Sequence, residues 1–224
     1  MIWWPEKIPT LSVVSDTASD GVAITLRPVI PSDAEAIYLG AQDPEVPKFT
    51  TLPADYTLDN AINFAKKRAP ERHANRLELI FAIDSTFNTS ASSSTKATSD
   101  NKAISSTNST SDTKASEISK TPTLAGIVSL HSIDFANHRA EVGYWLVKEA
   151  RNKGIGTSAV ELITEYGLMT MGFRRIDALV DNRNVASKRL LEKAGYQFEG
   201  ILKNYVTRPD GNQIDMAIFA ATTK

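Results

Sequence analysis

The sequence predicts an α+β fold, a sheet with helices on its faces. Three observations carry the prediction: short apolar runs of strand length, helical stretches set between them, and two closing strands around a turn of hairpin composition. Residues 22–28 alternate and end at Pro28, so the fold opens with a strand. Pro31-Ser32-Asp33 starts a helix that runs to about Leu39, with proline in its first turn and Ala34, Ile37 and Tyr38 available for an inward stripe. Thr57 suits the N-cap of a second helix, 58–68, with Leu58, Ile62 and Ala65 on one side. Strands follow at 77–83 and 124–131, and Asn137-His138 turns the chain into a fourth, 140–147. Residues 156–171 have helical composition, 175–180 read as a fifth strand, and a short helix at 185–194 ends at Gly195, which can take a left-handed conformation. Strands near 199–207 and 212–220 flank the turn Arg208-Pro209-Asp210-Gly211.

One segment cannot contribute to a core. Residues 85–122 contain 12 Ser and 8 Thr in 38 positions, and only Phe87, Ile104 and Ile118 are large and apolar, so neither the helical nor the strand period can be filled. Its charges nearly cancel, which suits a solvated loop joining the second and third strands. The expected organisation is an N-terminal extension, 1–21, followed by a single domain, 22–224, interrupted by a disordered Ser/Thr-rich insertion at 85–122.

The chain of 224 residues has 25 Lys+Arg against 26 Asp+Glu, a net charge of -1, and no cysteine. A cysteine nucleophile, a cysteinyl acyl-enzyme and Cys-ligated metal or iron–sulfur sites are therefore excluded. Near-zero net charge argues against a nucleic-acid-binding module. The start lacks a basic stretch before an apolar run, and no segment has ~18 consecutive apolar residues, so a cytoplasmic protein with no membrane partner is expected. The Asn-x-Ser/Thr triplets at Asn88 and Asn108 matter only in a secreted chain. His73, His131 and His138 have no spacing that assigns them to a metal or to a base, and no metal is expected.

The chemistry-bearing stretch is Arg151-Asn152-Lys153-Gly154-Ile155-Gly156-Thr157, after a strand and at the start of a helix. Two glycines let the backbone curl so that successive N–H groups face one concavity, and the helix N-terminus adds about half a positive charge. Arg151 and Lys153 add full charges, which together suit a pyrophosphate; a plain tight turn is the alternative. Asn184 and Ser187 lie three apart at the start of a short helix and share a face, although Asn184 also suits a helix cap. Tyr144 and Trp145 alternate on a strand, so one faces the core and the other a groove.

Ala140-Glu141-Val142-Gly143-Tyr144-Trp145-Leu146, then Arg151-x-x-Gly154-x-Gly156, then Asn184-x-x-Ser187-x-x-Leu190-Leu191-Glu192-Lys193-x-Gly195-Tyr196 resembles the GCN5-related N-acetyltransferase (GNAT) family. The chain is most similar to the branch that acetylates the N-terminal amines of ribosomal proteins. The resemblance implies the GNAT fold, a mixed, mostly antiparallel twisted sheet of about six to seven strands, splayed between the fourth and fifth. It implies acetyl-CoA as cosubstrate, with pantetheine along the backbone of Leu146 and Val147 and pyrophosphate on Arg151, Asn152, Lys153, Gly154, Ile155, Gly156 and Thr157. Asn184 and Ser187 would reach the thioester end. Many relatives carry a general-acid tyrosine seven residues after the motif asparagine; here that position is Leu191, so the branch suggests Ser187 as proton donor to the thiolate. Glu141 is the candidate base, with orientation of the amine or a solvent-facing strand position as alternatives.

The expected reaction is direct acetyl transfer to a primary amine, in a monomer or homodimer. A protein N-terminus is the leading acceptor; an amino acid, polyamine or antibiotic amine, or a CoA-binding module without catalysis, are the alternatives.

Overall fold

Alternation along the strands sorts apolar side chains onto two faces of one sheet, and each face has its own helices. The computed structural model describes residues 1–15, 22–86, 123–208 and 210–223. In chain order these form β1 (Leu11–Ser15), β2 (Val22–Pro28), α1 (Ala34–Ala41), α2 (Glu45–Phe49), α3 (Leu58–Asn63) and α4 (Ala69–Ala74). There follow β3 (Leu79–Thr86), β4 (Thr123–Asp134), β5 (Arg139–Leu146), α5 (Ile155–Glu165), β6 (Arg175–Asp181), α6 (Val185–Lys193), β7 (Gln197–Thr207) and β8 (Gln213–Thr222). The eight strands lie in the order β1-β2-β3-β4-β5-β6-β8-β7, every neighbour antiparallel except β5 with β6. The sheet is mixed and mostly antiparallel, as expected, with one strand more than expected.

The additional strand is β1, which lies within the stretch read from sequence as an extension. Leu11 pairs with Leu26 and Ser15 with Val22, while Leu11 and Val13 pack against the main core. Five residues carry too little periodicity to be recognised alone; pairing with β2 is what makes them a strand. The segment before β1 is also anchored, since the Trp3 N–H donates to the Met171 carbonyl and the Trp4 indole donates to the His73 carbonyl.

One face buries Ile24, Leu26, Phe81, Val128 and Val142 beneath α5 and α6. The other buries Ile80, Ala82 and Ile127 beneath α1, α3 and α4. Arg27 on β2 ties the second face together, donating to Asp33 before α1 and to Asp84 on β3. The second helix departs from the expected 58–68. It is α-helical only to Asn63 and widens into a π turn over Phe64–Arg68 before α4. Pro70 lacks an N–H and its ring crowds the preceding turn, so a tight α ladder cannot run through it. Strand β3 includes Ser85 and Thr86, which composition assigned to the polar insertion. Ser85 is buried and pairs with Thr123, so residues 87–122, which lie outside the described residues, join two adjacent strands.

Strands β5 and β6 pair only from Arg139↔Arg175 to Glu141↔Asp177. Beyond that point β5 stays with β4 as far as Leu146, and β6 stays with β8 as far as Asp181. The sheet therefore opens into a V whose vertex is at Glu141. No helix among the described residues is long and apolar enough to cross a membrane.

Candidate active site

The V exposes one edge of β5. The Val147 N–H donates to the Ala125 carbonyl of β4, and antiparallel bonding alternates, so Leu146, Tyr144 and Val142 turn their N–H and C=O groups toward the gap. Of the two backbone positions expected to receive pantetheine, Leu146 therefore faces the gap. Val147 does not, because its carbonyl also accepts from Ala150. The Leu146 carbonyl is engaged as well: it accepts from Arg151 Nε and Nη2 at 3.2 and 2.9 Å. Arg151 Nη1 lies 2.8 Å from Asp43. The guanidinium expected to meet the pyrophosphate thus braces the end of β5 against the segment after α1.

The loop that follows is built by two left-handed residues, Asn152 (φ 60°) and Gly154 (φ 77°). Such reversals turn successive N–H groups to one side. Helix α5 starts directly on Gly154, which has no side chain to cap the N–H groups of Ile155, Gly156 and Thr157. The sequence reading gave both glycines to loop curvature, whereas only Gly154 serves it. Gly156 is inside the helix, where a Cβ would lie 2.7 Å from Leu190 Cδ1 and 2.8 Å from Leu146 Cδ1. It lets the helix N-terminus approach the open end of β5. Asn152 and Lys153 are exposed, Thr157 is half-buried and Ile155 is fully buried, so Ile155 can offer only its backbone N–H.

On the α6 side, Asn184 caps the helix by accepting from the Ser187 N–H at 3.0 Å. Ser187 Oγ lies 2.7 Å from the Tyr144 hydroxyl, so a residue from β5 and one from α6 meet across the open V. Burial pushes the Tyr144 phenol upward, only partly offset by this bond, so it stays neutral. Leu191, the position of the family's tyrosine, is fully buried in the core. Tyr196 bonds Thr164 of α5 with its hydroxyl and is structural.

Glu141 projects to the opposite face, with Gly143 and Trp145. Burial raises its carboxyl; nearby His131 lowers it, Asp177 raises it, and the Ser132 hydroxyl lowers it. The two proposed catalytic side chains therefore flank the vertex from opposite faces of the sheet and do not touch each other. Gly40 of α1 makes room for the Trp145 indole, since a Cβ there would lie 2.7 Å from the ring. Arg208, from the β7–β8 hairpin, donates to the carbonyls of Pro47, Lys48 and Thr50 and to Asp181 at the end of β6, closing this side of the V. A separate cleft of about 480 Å³ lies between α1 and the ends of β3 and β4, behind the loop, and reaches Lys153. Sequence reasoning missed the partnership of Tyr144 with Ser187, the brace from Arg151 to Asp43, and the clasp made by Arg208. Among the described residues no cluster of metal-ligating side chains occurs.

Residues 23–197 match the family model described as Acetyltransferase (GNAT) domain. The uncharacterized N-acetyltransferase YoaA of Bacillus subtilis (strain 168) is 33% identical over 100 residues, 45% of this chain and 56% of that protein. The spermidine N(1)-acetyltransferase of Escherichia coli (strain K12) is 30% identical over 97 residues, 42% of this chain and 52% of that protein. The matches thus span about half the length of these relatives. Among solved structures, RimL, a ribosomal L7/L12 alpha-N-protein acetyltransferase in complex with coenzyme A, superposes with TM-score 0.67 at 18% identity, covering 97% of this chain and 98% of that chain. At that identity the likeness is one of fold.

Proposed function

The chain belongs to the GNAT acetyltransferase family, and from that membership we propose that it is an acetyl-CoA-dependent N-acetyltransferase whose acceptor is a primary amine, a protein or peptide N-terminal α-amine above others. The observation that carries this reading is the V between β5 and β6. It leaves strand backbone unpaired beside a helix that starts uncapped on Gly154. Those features fit the cosubstrate. The N–H groups of Ile155, Gly156 and Thr157 would hold its pyrophosphate, and the free edge of β5 would take its amide-bearing arm as an added strand.

Acetyl-CoA supplies an acetyl group activated as a thioester. The chain's residues do the rest. The Leu146 N–H points into the gap and can stabilise charge developing on the acetyl oxygen. Ser187 Oγ shares a 2.7 Å hydrogen bond with the Tyr144 hydroxyl; with the phenol as donor, the serine proton would be aimed at the departing sulfur. Glu141, on the other face, receives the proton of the incoming amine. An α-amine, with an ordinary pKa of about 8 against about 10.4 for lysine, asks only modest help from such a base.

The test has two parts. Calorimetry should show acetyl-CoA binding; absence of binding at millimolar ligand overturns the reading. Thiol release should then be measured with peptides bearing free N-termini, with spermidine and with free amino acids. Turnover with the peptides supports the proposal. Turnover with spermidine alone moves the acceptor to polyamines, the chemistry named for one relative. Tight binding without any thiol release assigns a binding role.

A further inference from the structure

We propose that the acceptor-side base is a pair, in which His131 is the positioning residue that holds Glu141 in its proton-accepting form. This rests on the reading of Glu141 as the base. The two residues are cross-strand neighbours on β4 and β5, and His131 Nε2 lies 4.0 Å from Glu141 Oε1. Ser132 Oγ is 3.0 Å from His131 Nδ1; in the tautomer whose Nδ1 accepts from that hydroxyl, the Nε2–H is turned toward the carboxylate. The imidazole occupies the space beside residue 143: a Cβ on Gly143 would lie 2.8 Å from Nε2, so the glycine is what admits the ring at the vertex of the V. Both side chains keep some exposure on this face, 27% for His131 and 22% for Glu141, so an amine can reach them.

The pair has a task because its surroundings oppose ionisation of Glu141. Burial disfavours the carboxylate, and Asp177, opposite on β6, adds like charge. Asp177 is itself paired with Arg175, which also holds Glu199 of β7. Along β4, Ser129 donates to Glu78, which is paired with Arg72 of α4. His131 is the imidazole that faces Glu141 directly, with the Ser132 hydroxyl beside it. In the transfer, the amine nitrogen bonds the acetyl carbon, the carbon–sulfur bond breaks, the amine proton passes to Glu141 and from there to solvent, and the sulfur leaves as a thiolate hydrogen-bonded to the Ser187 hydroxyl, which keeps its proton.

The test separates the pair from the base assignment. In protein labelled with [δ-13C]glutamate, the Glu141 carboxyl is identified by its loss in Glu141→Gln and titrated by NMR without any substrate. His131→Ala should move its midpoint to higher pH, and Gly143→Ala, which keeps the histidine but displaces its ring, should do the same. A midpoint that stays or falls in both variants overturns the proposal. With an alanine-initiated peptide as acceptor, the acid limb of kcat should follow the NMR midpoint: His131→Ala should lose about tenfold or more at pH 6 and less than about twofold at pH 9. The KM for acetyl-CoA should stay within about twofold. If the carboxyl midpoint moves but kcat does not follow, or if Glu141→Gln turns over normally, Glu141 is not the base and the proposal fails with it.

Discussion

At the scale of single residues, the Tyr144–Ser187 contact bears most directly on mechanism. A serine hydroxyl is a weak acid, and its usefulness to a leaving thiolate depends on where its proton points. The buried phenol, 2.7 Å from Ser187 Oγ, would fix that direction by donating to one of the serine's lone pairs. Leu191, at the α6 position where many relatives carry a tyrosine, thus does not leave the donor side without a phenol, since β5 supplies one from the other wall of the gap. Tyr144→Phe should lower kcat by roughly tenfold or more while leaving the Kd for acetyl-CoA within about twofold, because it removes an orientation and no binding group. The lost hydrogen bond should cost about 1 kcal/mol in denaturant unfolding. Equal losses in kcat and affinity would show the tyrosine to be packing alone.

At the scale of elements, the start of α5 depends on two glycines used for different reasons. Gly154 adopts a left-handed conformation that costs an L-residue about 1–2 kcal/mol. Gly156 permits contact, since its missing Cβ is replaced by the ends of Leu190 and Leu146. Gly156→Val should therefore push Leu146, and with it the gap-facing N–H, out of place. Acetyl-CoA affinity should weaken by roughly tenfold or more, about 1.4 kcal/mol. Leu190→Ala added to Gly156→Ala should restore much of the affinity that Gly156→Ala alone loses, as calorimetry would show; no recovery would place the effect in the backbone. The same helix start is braced by Arg151, whose charge is spent on the Leu146 carbonyl and Asp43. In the proposed site, phosphate binding would fall first to backbone N–H groups.

At the scale of the whole molecule, the sheet divides the groups of the proposed reaction. The donor-side groups, α5, α6, Tyr144 and Ser187, share one face, while Glu141, His131 and Trp145 share the other, and the V between β5 and β6 is the opening that connects them. The polar stretch 87–122 joins the paired strands β3 and β4, at the end of the sheet where the cleft beside α1 lies. Replacing it with a four-residue turn should leave acetyl-CoA affinity unchanged. It should raise stability by up to about 2 kcal/mol from the shorter loop closure, read as a higher Tm. A fall in Tm would show that the segment packs on the domain.

Much of this was legible in the sequence. The strand and helix periods, the helix stop at Gly195, the glycine-started helix and the motif order all follow from local chemistry, in which each residue's conformational cost or face is set by its near neighbours. Strand β1 was not legible, because five residues gain their conformation from pairing with β2. Neither was the Arg151 brace, which joins positions 108 residues apart. The clearest case is His131. Asp134 pairs with Arg139, and continuing that register would set His131 opposite Val142, on the core face. The register shifts by one between His131 and Asp134, where Ser132 is left-handed, and His131 lands opposite Glu141 instead. A shift of one residue exchanges the faces of a strand, and no composition records it. The sequence by itself determined which groups the protein possesses and that their family is that of the GNAT acetyltransferases. Only the tertiary structure decided which of them meet, because pairing register and the splay of β5 from β6 are set by contacts between distant segments.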